Sequence, residues 1–331
     1  MTAERLCDLQ GVPDLGAWFD ALRAVMSDGN PPVHRFGAGE PIMRAGDVAD
    51  HFLVILGGTA AVSGAVEDEP ALGVEPGALL GELGVLFGGR RRRTVVATSP
   101  IVSIAGTRAE LERALQIDAI GAHVASVAAR RLAERVEPLV ATTSKGVRVL
   151  LRPLLPADRP QYLAALGSMS LEAIRTRFFA ARRPPDAVVA RLIDIDYVDH
   201  VAWLALGADG ARQPLGVCRL VVAADDPRSA EIAVVVFEKH QGQGLGTLLV
   251  GALGAVANAR KLAAIIGHVL ADNRPMRAVF AKANAAWSSD SGVMTARMAV
   301  SDVAALIDAE TARRVAVATR ELDRAARLAD A

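Results

Sequence analysis

The sequence predicts two domains, an N-terminal β-barrel of the jelly-roll class with flanking helices and a C-terminal mixed α/β domain. The chain has 331 residues, and a typical domain has about 100–200, so length alone favours two. Short apolar segments separated by Gly, Asp and Pro turns fill the chain to about residue 117, which is typical of an all-β barrel. Beyond residue 147, strand-sized and helix-sized segments alternate, which predicts a mixed sheet.

The composition excludes several classes of protein. An apolar fraction of 52% and a charged fraction of 22% exclude disorder as the main state. Lys+Arg and Asp+Glu each number 37, and a net charge of zero disfavours a dedicated nucleic-acid binder. No apolar run approaches about 18 residues and no signal peptide is visible, so we expect a cytoplasmic protein without a membrane span. Two cysteines far apart in sequence form neither a disulfide framework nor a zinc site, so we expect no metal.

The first domain is predicted to contain six strands and a long helix. The helix covers about 117–136, where apolar residues recur at three- and four-residue spacing, and Pro138 ends it. A shorter helical stretch begins at Thr107 or Arg108. The predicted strands cover 33–36, 41–44, 52–56, 60–63, 71–74 and 94–97.

The second domain is predicted to follow a short linker, because small and polar residues at 141–146 favour a loop. Ser301 is predicted to cap a final helix of about two dozen residues. The predicted divisions are 1–140, the linker 141–146, 147–300 and a C-terminal helical segment 301–331. Strands are predicted at 147–152, 200–206, 215–222, 231–237, 263–270 and 293–299, and helices at 156–166, 171–181, 188–193, 244–258 and 273–286.

One glycine-flanked turn in the first domain combines a carboxylate with a guanidinium. Glu82 follows Gly81 at the start of the turn, and Arg91 follows nine residues later. A cyclic nucleotide presents a ribose 2′-hydroxyl and one anionic phosphodiester. A buried Glu accepts a hydrogen bond from the hydroxyl, and an Arg forks onto two phosphate oxygens. A surface Glu beside a solvated basic hairpin is the alternative for this segment.

The residues around this turn resemble the cyclic nucleotide-binding domain family over about the first 140 residues. The cassette of that family reads G-E-[LI]-[AS]-L and then, several residues later, P-R-[AST]-[AST]-[TS]. Arg90 stands where the family has Pro, and Arg92 and Arg93 replace small residues, which leaves the affinity open. The resemblance implies cyclic AMP as an effector, with an adenine-covering residue on the following helix. The implied site residues are Gly81, Glu82, Leu83, Gly84, Arg91, Arg92, Thr94 and Arg131.

A glycine-rich segment in the second domain follows the predicted strand 231–237 and opens a helix. Backbone N–H groups and the helix dipole favour a pyrophosphate at such a place, and glycine lets the backbone approach it closely. The segment lacks the Lys-Ser/Thr end of a Walker A loop, and no acidic residue ends the next strand as a dinucleotide fingerprint requires. The segment reads Gln241, Gly242, Gln243, Gly244, Leu245, Gly246 and Thr247.

This segment matches [QR]-x-x-G-x-[GA] and resembles the GNAT N-acetyltransferase family, whose element order the chain follows over about 146–300. Residues 273–282 resemble the N-x-x-[AM]-x-x-[LV]-[YF]-x-K helix of that family. Residues 168–179 resemble the S-x-E-S-x-x-x-R-F-F region of bacterial protein lysine acetyltransferases. The resemblance implies acetyl-CoA as a substrate, with its pyrophosphate at the glycine-rich segment.

The same resemblance implies further contacts to acetyl-CoA. Asn273 is implied to bond the pantetheine arm, and Lys282 to meet a phosphate. Backbone N–H groups of three consecutive strand residues are implied to bind the thioester carbonyl and the pantetheine amides. These three residues are Val234, Val235 and Val236.

The implied reaction is direct attack of a lysine ε-amine on the thioester. Its reference pKa is about 10.4, so a base must remove a proton. Glu231 is the predicted base, since similar enzymes carry a glutamate there; Glu238 is the rival, and a surface role for Glu231 is the alternative. Many GNAT enzymes use a Tyr on the late helix as the acid, and counting from Asn273 places Phe280 there. The thiolate therefore leaves unassisted or takes a proton from water.

Taken together, the sequence predicts a cyclic AMP-responsive lysine acetyltransferase whose partners are cytosolic proteins that bear lysines. No oligomeric state is implied. One alternative keeps the enzyme but makes the acceptor a small-molecule amine. Another is a nucleotide-binding partner protein with a degenerate transferase half.

Overall fold

The computed structural model describes residues 6, 14–63, 72–180, 182–193, 195–210 and 212–326. The described residues form two compact units, which meet in sequence between Ala128 and Ala129. The first residue of the strand predicted at 71–74 and the last five of the segment predicted at 301–331 lie outside the described residues. Within those ranges, no helix is long and apolar enough to cross a membrane.

The first unit contains two four-stranded antiparallel sheets, as predicted for a jelly roll. Their strand orders are β1-β8-β3-β6 and β2-β7-β4-β5. The six predicted strands are present, and the structure adds β6 and β8, which sequence reasoning missed. The strands are β1 (Val33–Phe36), β2 (Pro41–Met43), β3 (His51–Gly57), β4 (Ala60–Val62), β5 (Leu72–Val74), β6 (Leu79–Leu80), β7 (Val95–Ala97) and β8 (Ile101–Thr107).

The core of this unit forms because β3 buries both of its faces. Phe52 and Val54 point into one apolar cluster, while Leu53 and Ile55 point into another. Thr107 caps the helix after β8, since its hydroxyl accepts from the backbone N–H of Glu110 at 3.3 Å. The helices are α1 (Ala17–Val25), α2 (Glu82–Phe87), α3 (Arg108–Leu115) and α4 (Asp118–Ala133), of which α4 crosses the division between the two units.

The second unit is built on one eight-stranded sheet with the order β15-β16-β14-β13-β12-β11-β10-β9. Only β13 and β14 pair in parallel among its described strands. The strands are β9 (Leu139–Thr142), β10 (Arg148–Pro153), β11 (His200–Gly207), β12 (Pro214–Val222), β13 (Ser229–Val236), β14 (Ala264–Leu270), β15 (Ala286–Asp290) and β16 (Val293–Ala299).

Helices cover both faces of this sheet. The central one is α8, whose apolar residues are buried on nearly every side, as expected for a helix enclosed by other elements. The helices are α5 (Arg159–Gly167), α6 (Leu171–Phe178), α7 (Asp186–Ile193), α8 (Leu245–Ala259), α9 (Arg274–Ala281), α10 (Val300–Ala304) and α11 (Ala309–Ala326).

The linker predicted at 141–146 is wrong. Residues 139–142 form β9, which pairs with β10 as a hairpin, and its Ala141 is buried. The turn closes because the Thr143 N–H donates to Val147 O and the Gly146 N–H donates to Thr143 O, both at 2.9 Å. The polar residues that predicted a linker therefore form the turn of a hairpin within the eight-stranded sheet.

The predictions of a single final helix within 301–331 and of a helix over 273–286 are also wrong. Ser301 lies inside α10, and α11 begins separately, where the Asp308 carboxylate accepts from the Thr311 N–H at 2.8 Å. Such a cap starts a new helix because it satisfies an N–H that lacks an intrahelical partner. The helix predicted at 273–286 ends at Ala281, and its last residue belongs to β15.

Candidate nucleotide and acyl-transfer sites

Arg91 is the buried cation of the candidate site in the first unit, with 7% of its surface exposed. Its guanidinium donates to Gly81 O at 3.0 Å and to His51 O. Burial lowers the pKa of this guanidinium, while nearby carboxylates, including Asp50 and Glu82, oppose the shift. Arg91 is therefore the arginine of this loop that reaches the glycine-flanked turn.

Glu82 begins α2 and is fully buried, which contradicts the alternative of a surface carboxylate. Gly81 has φ +83°, and a Cβ there would overlap the Arg91 guanidinium. A Cβ at Gly84 would lie 2.5 Å from Ala49 Cβ. Both positions therefore require glycine. The missing side chains leave room for the turn to bring the Glu82 carboxylate and the Arg91 guanidinium together in the protein interior.

The remaining predicted nucleotide contacts lie in different settings. Leu83 is buried, and Arg92 is exposed. The Thr94 hydroxyl accepts from the Ala45 N–H at 3.1 Å. Arg131 lies in the last turn of α4, within the second compact unit. The nucleotide-binding roles of these four residues stay predictions.

The glycine-rich segment forms a tight loop, and α8 starts after it at Leu245, one residue after the predicted start at 244. Gly244 has φ +82°, and a Cβ there would lie 2.9 Å from Ser144 Oγ and 3.2 Å from Thr143 Cβ. The turn of the β9–β10 hairpin therefore forms one wall of the loop, and glycine is required where they meet.

The loop leaves backbone donors at the start of α8. The Leu248 N–H donates to Gly244 O, so the N–H groups of the three residues from 245 to 247 precede the first intrahelical bond. The side chain of Gln241 donates to Val236 O at 3.1 Å, which ties the loop to the end of β13. Gly242 and Gln243 form the turn between these two points. This arrangement suits a pyrophosphate.

The strands β13 and β14 separate beyond Ile232, where their pairing ends. The Phe237 N–H donates to Leu215 O, and alternation along β13 gives Val235 the same direction, toward β12. The N–H groups of Val234 and Val236 therefore point into the gap. Val235 is a correction to the predicted site, because its own N–H serves the sheet.

Glu231 lies on the face of β13 opposite the apolar core, because its neighbours Ala230 and Ile232 point into that core. It is not on an edge strand, since β13 pairs on both sides. Its side chain is 59% exposed. On this same face, Arg219 of β12 donates to the Tyr162 hydroxyl of α5 at 3.3 Å. Helix α5 thus packs against β12 on the same face of the sheet as the predicted base.

Helix α6 bridges the two sides of the gap between β13 and β14. Its capping residue Ser170 donates through N–H and hydroxyl to the Glu238 carboxylate, both at 2.8 Å. Its Arg175 donates to Asp272, just beyond β14, at 2.6 Å. Glu238, the rival base, is therefore engaged in holding α6. The sequence motif at 168–179 singled out the segment that contains α6, but the hydrogen bonds that tie it to Glu238 were not predicted.

The residues predicted on α9 have mixed outcomes. Phe280 is buried, its ring fills the space beside Gly267, and it offers no hydroxyl to a thiolate. The Asn273 side chain accepts from the Met276 N–H at 3.2 Å and so caps α9. Lys282 is exposed at the end of this helix. The contacts of Asn273 and Lys282 with acetyl-CoA stay predictions.

Sequence reasoning missed His268 of β14, whose Nε2 lies 3.7 Å from Glu231 Oε1. The only signal for it in the sequence is alternation along the predicted strand 263–270. Ser144, beside the glycine loop, was likewise missed because it was assigned to a linker.

Two protein families match the two units. Residues 33–118 match the cyclic nucleotide-binding domain, and residues 148–285 match the acetyltransferase (GNAT) domain. The fold and the two sites thus define an acetyltransferase with a cyclic nucleotide-binding domain in the same chain.

Whole-chain comparison identifies the family. The chain is 32% identical over 292 residues to Acetyltransferase Pat of Mycolicibacterium smegmatis, covering 87% of each protein. It belongs to the family of that acetyltransferase. The cAMP-binding acyltransferase from Mycobacterium smegmatis is 28% identical over 88% of both chains, with a TM-score of 0.47. The GNAT domain of S. lividans PAT is 25% identical over 49% of this chain and 96% of that one, with a TM-score of 0.45.

Proposed function

We propose that this protein is a cytoplasmic, cyclic AMP-responsive protein lysine N-acetyltransferase. It transfers the acetyl group of acetyl-CoA to the ε-amine of lysines in other proteins. The observation that carries the proposal is β13, a single strand that presents the Glu231 carboxylate, then the N–H groups of Val234 and Val236, then the glycine loop. The family of the chain supports the same activity.

The chemistry follows from this order along the strand. Glu231 accepts a proton from the acceptor ammonium, and the neutral amine attacks the thioester carbonyl carbon. The N–H groups of Val234 and Val236 stabilise the oxyanion that forms. The carbon–nitrogen bond forms, the carbon–sulfur bond breaks, and the nitrogen loses its second proton to water as the amide forms. Water returns a proton to the thiolate, because Phe280 has no acidic hydrogen.

The effector part of the proposal rests on Arg91 and Glu82. Their charges match the phosphodiester and the ribose hydroxyl of a cyclic nucleotide. Control of activity further requires that the nucleotide bind one conformation of the chain more tightly than another, since equal binding shifts no population.

The test is an acetylation assay on a cytosolic protein extract, with acetyl-CoA and with or without cyclic AMP, read by mass spectrometry. We expect acetyl-lysine in folded proteins, at a rate that changes with the nucleotide. Acetylation of small amines alone would replace the protein acceptor by a small molecule. Intact CoA binding without turnover on any amine would make the second unit a binding module.

A further inference from the structure

Three residues on three neighbouring strands form a polar row. The His268 ring lies between Glu231 and Thr295, with its Nε2 3.7 Å from Glu231 Oε1 and its Nδ1 3.1 Å from Thr295 Oγ1. His268 and Thr295 are direct register partners in β14 and β16. His268 is two residues beyond Ile266, the register partner of Glu231. The row therefore starts at the predicted base and runs away from it across the sheet.

This row lies on the face of the sheet opposite the apolar core. Ile265 and Val269 of β14 and Ala296 of β16 point into that core, so the alternate residues His268 and Thr295 point the other way. A cavity of about 280 Å³ opens on this face. Its lining residues are Ile266, Ala286, Trp287, Ser288, Thr295 and Arg297. The far end of the row, at Thr295, therefore borders this cavity.

The hydrogen-bonding capacities of the three groups fix the direction of the row. A general base is ionised, and an ionised carboxylate only accepts hydrogen bonds. The Nε2 atom of His268 must therefore carry a hydrogen to interact favourably with Glu231. In the neutral ring, Nδ1 is then an acceptor, and a hydroxyl such as that of Thr295 is able to donate to it.

We propose that His268 is a positioning residue for Glu231, held in the Nε2–H tautomer by the Thr295 hydroxyl. The inference rests on the proposed function, because it assigns His268 a role only through the base. The contact at 3.7 Å is longer than a hydrogen bond, and such contacts commonly tighten when substrate binds.

The consequence for the reaction is geometric. The Nε2–H group of His268 holds Oε1 of Glu231, which leaves Oε2 to face the acceptor ammonium. When Oε2 takes the ammonium proton, the carboxyl becomes neutral, and His268 keeps both its proton and its bond to Thr295. The ring passes no proton from one group to another. Its contribution is the hydrogen bond that its Nε2–H group donates to Glu231.

The first test is a matched pair of substitutions at one position. In His268→Gln the side-chain amide keeps a donor at a similar reach, and in His268→Met a chain of similar length has none. We expect kcat of the Gln variant within about threefold of the original, and that of the Met variant about tenfold lower, the size of one hydrogen bond to a charged group. The KM for acetyl-CoA should stay unchanged in both. Equal activity of the two variants would overturn the proposal.

The second test is a double-mutant cycle with Glu231→Ala. Since His268 acts through Glu231, His268→Met should cost less than about twofold once the carboxylate is gone. Product is counted by mass spectrometry over hours, so that slow variants remain measurable. The same tenfold cost in both backgrounds would assign His268 a merely structural role and sink the inference.

The outcomes separate this inference from the function it rests on. If Glu231→Ala leaves kcat unchanged, the base itself is wrong. If Glu231→Ala is strongly impaired but His268→Met is not, the base stands and only the role of His268 fails. Thr295→Val adds a smaller arm, with an expected loss of about threefold, because the ring stays in place but loses the partner that fixes its tautomer.

Discussion

The two candidate sites of this chain hold their carboxylates in opposite ways. Glu82, in the first unit, is fully buried beside Arg91, whose guanidinium donates to backbone carbonyls. Glu231, in the second unit, has a side chain that is 59% exposed, and the cavity on its face of the sheet is open. One carboxylate is enclosed by the protein before any ligand arrives, and the other is presented to solvent.

The difference follows from what each site has to do. A small anion is bound best by charges already fixed in the interior, where little rearrangement is needed. If the acceptors are lysines on folded proteins, as we propose, the base has to reach a large partner and cannot be enclosed. In the role that we propose for His268, a neighbouring side chain holds the exposed carboxylate, whereas the buried one is held by packing.

The largest expected effect tests the exposed site. Glu231→Ala should lower kcat by about a hundredfold or more, because that is the usual contribution of a general base. Initial rates at saturating acetyl-CoA and neutral pH measure it. Glu321→Ala removes an exposed carboxylate from α11 and should leave the rate unchanged. An unchanged rate in the Glu231 variant would show that this carboxylate is not the base.

The second effect tests the buried site. Arg91→Ala should weaken cyclic AMP binding at least tenfold, by an estimate of about 1.5–3 kcal/mol for each hydrogen bond to a charged group. Isothermal titration calorimetry measures the affinity. Arg23→Ala is the control, since it removes an exposed arginine from α1 in the same unit and should leave the affinity unchanged. An unchanged affinity in the Arg91 variant would show that the phosphate contacts the loop in a different way.

The third effect concerns the glycine loop. Gly244→Ala should raise the KM for acetyl-CoA by about fivefold, because a left-handed residue with a Cβ costs about 1–2 kcal/mol. The added methyl group also meets the hairpin turn, with Ser144 Oγ at 2.9 Å. Gly242→Ala is the control: its φ is +73°, but its Cβ meets nothing within 4 Å, so its effect should be smaller. Steady-state kinetics on both variants decide the point.

The smallest effect on activity concerns the missing acid. Phe280→Tyr should change kcat by less than about twofold, because the ring is buried and the ring edge that would carry the hydroxyl faces Gly267. Burying an unsatisfied hydroxyl should lower the free energy of unfolding by about 1–3 kcal/mol. Urea unfolding measures this loss. A clear gain in kcat would instead show that the ring reaches the leaving sulfur.

Much of the fold was predictable because its signals are local. Glycine turns and short apolar runs gave the barrel strands, and the run from Gln241 to Thr247 gave the loop at α8. Glu231, Arg91 and Glu82 were singled out because each stands at a fixed place in a motif, and their roles stay predictions. Their burial and contacts are consistent with the predicted roles.

The errors lie in segments whose structure depends on contacts that a local sequence pattern does not show. Residues 139–142 become a strand only because β10 lies beside them, and the turn that follows looks like a linker. His268 lies near Glu231 through the register of two strands distant in sequence, which composition and spacing do not reveal. The separate start of α11 depends on Asp308, a cap that a continuous periodic pattern conceals.

The β9–β10 hairpin has a thermodynamic consequence. Its strand β9 begins a few residues after α4, the helix that crosses the two compact units, and its turn packs against Gly244. A single strand therefore joins the end of that helix to the wall of the loop. If cyclic AMP changes the affinity for acetyl-CoA by some factor, bound acetyl-CoA must change the affinity for cyclic AMP by the same factor. The supply of acetyl-CoA would then set the nucleotide concentration at which the protein responds.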